Sequence, residues 1–247
     1  MLSSYSVFLP SYSVGTDCYR EIPYVTRKYG TKAVVIGGKT AMQKAKPELE
    51  TAIRGSKVEI VDYIWYGGDS NYENIEKLKA NETVQNADML FGVGGGRACD
   101  TVKTLADMLD KPFFTFPTLA SNCAACTAIT VIYNADGSFK EYYYMHGPAY
   151  HTFVNTKIIA DSPEKLLWAG IGDALSKECE VLFASRDKFI YHTPLMGQCV
   201  AKVCTTPLIE YGAAALEACR KNEADFALEQ VALDIIMSTG IVSNFAT

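Results

Sequence analysis

The chain has 247 residues, of which 49% are hydrophobic and 21% charged, a balance typical of a folded globular protein. A net charge of −5 without any basic tract argues against a nucleic-acid backbone as the main partner, because such binding requires clustered Lys and Arg side chains. We expect neither an apolar run approaching the roughly 20 residues of a membrane span nor a signal peptide. We therefore expect a cytoplasmic protein with no membrane contact.

Short apolar runs alternate with helical patterns through the first half of the chain. Strands are predicted at 32–38, 57–69, 87–96 and 112–117, and helices at 40–55, 71–87 and 97–111. This alternation indicates a parallel sheet with helices on both faces.

The pattern changes after the fourth predicted strand. Two alternating runs within 128–145 flank the turn residues Asn-Ala-Asp-Gly and predict a hairpin. The segment 152–163 reads as one more extended stretch, and the remainder is helical almost to its end. We therefore expect an α/β domain at 1–161, with a parallel sheet flanked by helices plus a hairpin, followed by an all-α domain at 162–247.

Three consecutive glycines, Gly94, Gly95 and Gly96, join the third predicted strand to a helix. Backbone N–H groups at a helix N-terminus favour an anion, most simply a phosphate. The loop is not the dinucleotide fingerprint, because Arg97 stands where its last glycine belongs. A tight turn without a ligand remains the alternative.

A polar cluster, Thr115, Thr118, Ser121 and Asn122, lies around the end of the fourth predicted strand. Ligands of open α/β sheets bind at the carboxyl ends of the strands, so this cluster and the glycines should share one edge. Arg97 and Lys103 are interpreted as surface charges of the helix, with Arg97 the favoured phosphate contact.

The eight cysteines are scattered, and most lie in apolar stretches. Disulfide frameworks belong to small secreted chains, so we expect buried free thiols. Cys123 and Cys126 have the spacing of a redox pair or of half a zinc site. Because no second such pair accompanies them, we favour the interpretation that they line a pocket.

Three segments, GGGRACDTVK, FPTLASNCAACTAITVIYNADGSF and LLWAGIGDALSKECE, resemble glycerol dehydrogenases and their relatives in the iron-containing (group III) alcohol dehydrogenase superfamily in order and spacing. The resemblance implies a dinucleotide-binding α/β domain and a helical metal and substrate domain. It also implies hydride transfer between NAD or NADP and a small alcohol or hydroxy acid, with a divalent metal that we expect to be zinc, iron being the alternative. A homo-oligomer is expected.

The resemblance assigns a role to each matching position. The pyrophosphate loop would consist of Gly94, Gly95, Gly96, Arg97 and Ala98; the phosphate and nicotinamide side would be held by Thr118, Leu119, Ala120 and Ser121; and the nicotinamide pocket would be lined by Thr127, Ile129 and Tyr133. Asp173 would be a metal ligand and Cys123 would contact the substrate. An ordinary i,i+4 pair of Asp173 with Lys177 is the alternative for that carboxylate.

Two departures from the family concern substrate and cofactor. Cys123 stands where glycerol dehydrogenases have an aspartate that contacts the polyol, and the segment ASNCAACT is closer to the hydroxycarboxylate dehydrogenase branch. A thiol cannot accept two hydroxyl hydrogen bonds as a carboxylate does. The first predicted strand ends in Gly37 and Gly38 followed by Lys39, without the acidic residue that holds the adenosine ribose and disfavours NADP.

A third departure concerns the metal. The family completes its site with two histidines beyond the position of Thr247, so we expect a C-terminally truncated sequence. His146, His151 and His192 do not substitute for them, and a stable site needs about three protein ligands. The alternative is a non-catalytic or degenerate nucleotide-binding relative. A lyase-type cousin with the same fold is the weaker option, because its basic phosphate-binding cluster is not evident.

Overall fold

The computed structural model describes residues 6–245 of the chain. Its centre is a six-stranded sheet with the order β1-β8-β5-β4-β2-β3, in which every pair of neighbours is parallel. The strands of this sheet are β1 (Tyr12–Val14), β2 (Lys32–Gly37), β3 (Glu59–Trp65), β4 (Met89–Gly94), β5 (Phe113–Pro117) and β8 (His151–Val154). A separate antiparallel hairpin consists of β6 (Ile129–Tyr133) and β7 (Phe139–Tyr144).

Helices connect the strands and then continue alone. Those of the first part are α1 (Ile22–Thr26), α2 (Lys39–Ile53), α3 (Tyr72–Lys79), α4 (Glu82–Asn86), α5 (Gly96–Met108) and α6 (Thr156–Ala160). Those of the second part are α7 (Glu164–Ser185), α8 (His192–Arg220), α9 (Phe226–Leu233), a π-helical turn at Asp234–Ser238, and α10 (Thr239–Asn244). The predicted fold class, an α/β part with a parallel sheet and a hairpin followed by an all-α part, is confirmed.

The central strands are apolar because both faces of the sheet are covered. Along β2, Ala33 and Val35 join the hydrophobic cluster on one face, whereas Val34 and Ile36 join the cluster on the other. All four are completely buried. Side chains of a strand alternate between the faces, so a continuous apolar run supplies two cores at once.

Three details differ from the sequence prediction. The helix predicted at 71–87 is two helices, because the Asn81 side chain accepts hydrogen bonds from the amides of Thr83 (2.9 Å) and Val84 (3.2 Å) and starts α4. The extended segment predicted at 152–163 is wrong beyond Val154, since Asn155 caps α6 in the same way. The edge strand β1, only three residues long, was not predicted.

The helical part packs directly against the carboxyl end of the sheet. One hydrophobic cluster runs from Cys99 and Cys126 of the α/β part to Leu167, Leu208 and Val231 of the helices. At Gly170 the approach is so close that a Cβ atom would lie 2.1 Å from the carbonyl oxygen of Ala120. The edge of the sheet where ligands bind is therefore partly roofed by helices.

One helical stretch, Phe226–Asn244, has the length and apolar composition of a membrane span, contrary to the expectation that no such run exists. Most of it is buried inside the protein, as in a core helix that is apolar on all sides.

All eight cysteines are free thiols, as predicted. Five are buried and Cys123 is half-buried, whereas Cys179 and Cys199 are exposed, which corrects the expectation of burial for those two.

Candidate functional site

The glycine loop lies at the carboxyl end of β4, where backbone and side chains meet closely. Gly94 has a φ of +148°, a conformation that side chains rarely adopt, and a Cβ atom there would lie 2.9 Å from the Cβ of Ala98. Gly95 is the N-cap of α5 and Gly96 its first residue. The first N–H groups of a helix have no partner within it, so this loop can bind an anion.

A cavity of about 1170 Å³ opens beside this loop. Every residue to which the resemblance assigns a role lines it except Ala120. Lys39, Trp65 and Tyr66 contribute from the ends of β2 and β3, and Lys177 contributes from α7. The cavity is somewhat larger than the roughly 300–1,000 Å³ of pockets for drug-sized molecules. It can therefore hold an extended ligand that reaches from β2 to α7.

Thr115 of the predicted polar cluster and Ala120 of the predicted phosphate and nicotinamide segment do not line the cavity. Ala120 is completely buried, with its carbonyl against Gly170. Thr115 lies inside β5, and its hydroxyl donates to the carbonyl of Ala125 (2.7 Å) and pairs with the Thr152 hydroxyl (2.9 Å). It is a core residue, because both faces of the sheet are covered and every residue of β5 is buried. Thr118 and Ser121, by contrast, line the cavity.

Arg97 lies at the rim of the cavity. Its Nη1 atom is 3.2 Å from Oδ2 of Asp69, and its guanidinium lies 4.7 Å from the centroid of the Tyr133 ring. The side chain remains half-exposed. These contacts hold a cation beside the glycine loop while leaving N–H donors available to a phosphate.

The interpretation of Lys103 as a surface charge is wrong. Its side chain is completely buried, and its ammonium lies 3.0 Å from Oδ1 of Asp100. It also donates to the carbonyls of Ala124 (2.6 Å) and Ile129 (2.8 Å) and to the hydroxyl of Thr127 (3.0 Å). Burial raises the pKa of Asp100, against the opposing effects of Lys103 and of the Val131 amide. The acceptors in Ala124, Thr127 and Ile129 lie more than twenty residues beyond Lys103 in the chain, so no local sequence pattern could indicate them.

Asp173 lies on α7 at the other end of the cavity. The residue remains accessible to solvent, although partial desolvation raises the pKa of its carboxyl, with Lys177 acting in the opposite direction. Lys177 forms its ion pair with Glu180 (2.8 Å). The nearby thiol of Cys123 also has a raised pKa, caused mainly by burial and opposed by a hydrogen bond with Thr239 and by Lys177.

The two cysteines of the Cys-x-x-Cys pair have different surroundings. Cys123 lines the cavity, but the interpretation of Cys126 as a pocket residue is wrong, since its thiol is buried and donates to the carbonyl of Ile236 (2.8 Å). Within residues 6–245, no three His, Cys, Asp or Glu side chains are grouped so that they could hold a metal ion. His151 lies in β8, between the hydroxyls of Ser11 and Ser13, and belongs to no such group. The described residues therefore do not by themselves form a complete metal site.

The opposite end of the cavity is basic and aromatic. β2 ends in Gly37, and Gly38 caps α2, whose first residue is Lys39. The ammonium of Lys39 lies 4.7 Å from the centroid of the Trp65 ring. The carbonyl of Gly37 accepts from the amide of Tyr66 (3.1 Å), which keeps the ends of β2 and β3 together.

A parallel sheet with a glycine loop and a helix-roofed cavity at the carboxyl ends of its strands is the arrangement in which open α/β proteins bind their ligands. Residues 10–154 match the family described as iron-containing alcohol dehydrogenase, and the chain belongs to this family.

The similar curated proteins include a glycerol dehydrogenase and a hydroxycarboxylate dehydrogenase. The chain is 30% identical over 226 residues to a glycerol dehydrogenase of Escherichia coli O6:H1, a match that covers 89% of this chain and 61% of the relative. It is 34% identical over 161 residues to hydroxycarboxylate dehydrogenase A of Escherichia coli K12, covering 64% of this chain and 43% of that protein. The chain thus spans less than two thirds of the length of these relatives.

A solved structure shares the fold. The glycerol dehydrogenase of Schizosaccharomyces pombe superposes with a TM-score of 0.85 at 24% identity, over 98% of this chain and 63% of that one. At this identity the likeness concerns the architecture alone.

Proposed function

We propose that this protein is an oxidoreductase that binds NAD or NADP in the cavity and transfers a hydride between the nicotinamide ring and a small hydroxy compound, a glycerol-like polyol or a 2-hydroxy acid. The observation that carries the proposal is the opening of the glycine loop onto the same cavity as Asp173. Membership of the iron-containing alcohol dehydrogenase family supports it. In this proposal residues 1–161 bind the dinucleotide and the helices from 162 onward contribute the substrate end.

The cofactor would extend along the cavity from β2 to α7. The adenosine would lie near Lys39 and Trp65, and the pyrophosphate would lie on Gly94, Gly95 and Gly96, where the helix dipole and free amides favour its charge. The nicotinamide would lie against Thr127, Ile129 and Tyr133. In this orientation of the cofactor, the reacting carbon of the nicotinamide ring would face Cys123 and Asp173.

The substrate end favours an anionic compound over a neutral polyol. Cys123 brings no charge at neutral pH because its pKa is raised by burial, whereas Lys177 brings a positive charge to the same wall. A carboxylate of a 2-hydroxy acid would bind this ammonium, provided that it competes with Glu180. The name of one relative, hydroxycarboxylate dehydrogenase, is consistent with this preference.

A divalent metal, iron or zinc, is part of the proposal through family membership, and the description of the family favours iron. Asp173 would supply one carboxylate oxygen to it. The described residues bring no complete ligand set to Asp173. Elemental analysis of the purified protein tests this component separately: iron or zinc at one atom per chain supports it, and a trace content contradicts it.

The activity is tested by absorbance at 340 nm, with NAD or NADP, added Fe²⁺ or Zn²⁺, and a panel of polyols and 2-hydroxy acids. We expect reduction of the cofactor with at least one 2-hydroxy acid. Cofactor binding without any turnover across the panel would instead support the alternative, a non-catalytic nucleotide-binding relative.

Gly95→Val provides a matched test of the cofactor position. The backbone at Gly95 is in an extended conformation open to any residue, and a side chain there would approach Leu119 within 3.3 Å at the cavity. We expect this variant to fold and to lose cofactor affinity by tenfold or more. Gly172→Ala, at a glycine with no atom within 4 Å of its Cβ position, is the control and should bind as the original chain does.

A further inference from the structure

We propose that Lys103 is a positioning residue for the nicotinamide end of the cavity, a role that rests on the proposed function. Its ammonium donates to the carbonyls of Ala124 and Ile129 and to the hydroxyl of Thr127. Those three residues line one wall of the cavity, which we call the 124–131 wall after the segment that forms it. Lys103 itself does not line the cavity and would never touch the cofactor.

Every N–H donor of the Lys103 ammonium has an oxygen acceptor. An ammonium has three N–H donors, and four oxygen atoms, including Oδ1 of Asp100, lie within 3.0 Å of Nζ. The side chain is completely buried, and no other lysine or arginine in residues 6–245 is. A buried charge is expensive unless it is paired and hydrogen-bonded, so the 124–131 wall must stay in register with the ammonium.

The same helix also carries the glycine loop. α5 begins at Gly96 and holds Lys103 two turns later, while Oδ2 of Asp100 accepts from the amide of Val131 (3.2 Å). One rigid helix therefore fixes both the anion-binding loop and the 124–131 wall. The distance between the pyrophosphate subsite and the nicotinamide subsite is set by these charge-assisted hydrogen bonds.

A cofactor fragment separates positioning from general stability. ADP-ribose contains the adenosine and pyrophosphate but lacks the nicotinamide, so only the complete dinucleotide contacts the 124–131 wall. If the wall loses its position, the affinity for NADH should fall more than the affinity for ADP-ribose. In the same way, the affinity for NADPH should fall more than that for 2′-phospho-ADP-ribose. A purely structural role would weaken both members of a pair by the same factor.

Lys103→Met removes the ammonium at similar length, and Lys77→Met is the control because Lys77 lies on the surface paired with Glu73. Lys103→Met leaves the Asp100 carboxylate buried without its cation and so risks misfolding. The double variant Asp100→Asn/Lys103→Met removes that charge as well and keeps the comparison available in a folded protein.

The experiment is a calorimetric titration of each variant with both members of the cofactor pair. We expect Lys103→Met or the double variant to lose about tenfold or more in dinucleotide affinity, with ADP-ribose affinity changed by less than about twofold. Equal losses for both ligands, or no loss for either, would overturn the role of Lys103 while leaving the proposed function intact. Failure of the unmodified chain to bind either pair would overturn the proposed function and the inference with it.

Discussion

The Nζ atom of Lys103 lies 3.0 Å from Oδ1 of Asp100, and the two side chains are only 0% and 8% exposed. Removing one partner of a buried pair leaves the other charge uncompensated, which costs about 3–5 kcal/mol. We therefore predict a loss of this size in the free energy of unfolding for Lys103→Met, and a smaller loss for Asp100→Asn/Lys103→Met. Urea denaturation monitored by circular dichroism measures both values.

The coupling free energy between Asp100 and Lys103 shows whether the two residues stabilise the fold as a pair. The losses in the free energy of unfolding add to within about 0.5 kcal/mol when two substituted sites are independent, but not when the two residues belong to one network. The single variant Asp100→Asn completes the cycle. If the double variant lost the sum of the losses of Lys103→Met and Asp100→Asn, Asp100 and Lys103 would not form an energetic pair.

The stability of the protein should depend on pH through His151. Burial lowers the pKa of His151 to about 4 from its ordinary 6.5, and its ring nitrogens each lie 2.8 Å from a serine hydroxyl. Between pH 6.5 and about 4 the His151 imidazole binds a proton in the unfolded chain but not in the folded chain. The stability contribution of this group is therefore complete above pH 6.5 and is lost as the pH falls towards 4, by at most about 3 kcal/mol.

His151→Asn removes this titration. Urea denaturation of both proteins at several pH values between 7.5 and 4.5 should show a steeper fall for the original chain. Parallel profiles would show that His151 titrates normally in the fold.

Replacement of glycine by alanine should have opposite effects on stability at two positions of α7. A Cβ atom at Gly170 would lie 2.1 Å from the carbonyl oxygen of Ala120, in backbone that cannot move aside freely, whereas Gly172 has no atom within 4 Å. We predict that Gly170→Ala destabilises the protein by about 1–3 kcal/mol. Gly172→Ala should be neutral or stabilising by up to about 1 kcal/mol through helix propensity. Thermal melts of the pair measure the difference, and equal melting temperatures would contradict the close contact of α7 with Ala120.

Cofactor selectivity should depend on Lys39. Its ammonium over the Trp65 ring brings a cation to the expected adenosine end, where β2 ends in glycine rather than in an acidic residue. We predict that Lys39→Met lowers the affinity for NADPH by about tenfold and leaves that for NADH within about twofold. Lys46→Met is the matched control, since Lys46 lies on the same helix 4.7 Å from the centroid of the Tyr63 ring but outside the cavity. An equal effect on both cofactors would exclude recognition of the 2′-phosphate by Lys39.

The alternation of strands and helices and the position of the glycine loop could be predicted from the sequence because both are local. A continuous apolar run such as β4 is buried on both faces, and Gly94 needs a φ that other residues avoid. The starts of α4 and α6 also have a local signal in the sequence, because Asn81 and Asn155 are residues favoured at helix N-caps.

The burial of Lys103 could not be predicted in the same way. Its acceptors come from residues 124–129, which follow β5 in the chain and pack against α5. The short strand β1 likewise depends on pairing with β8, which lies about 140 residues further along the chain. Contacts between distant segments set both features, and no pattern in either segment alone encodes them.

The most direct test of cofactor binding in the cavity is calorimetric titration of the purified chain with NADH and with NADPH, repeated on Gly95→Val. We predict one site per chain for at least one of the two, with an affinity that Gly95→Val lowers by tenfold or more. No binding of either cofactor at millimolar concentration, or binding that Gly95→Val leaves unchanged, would contradict the account.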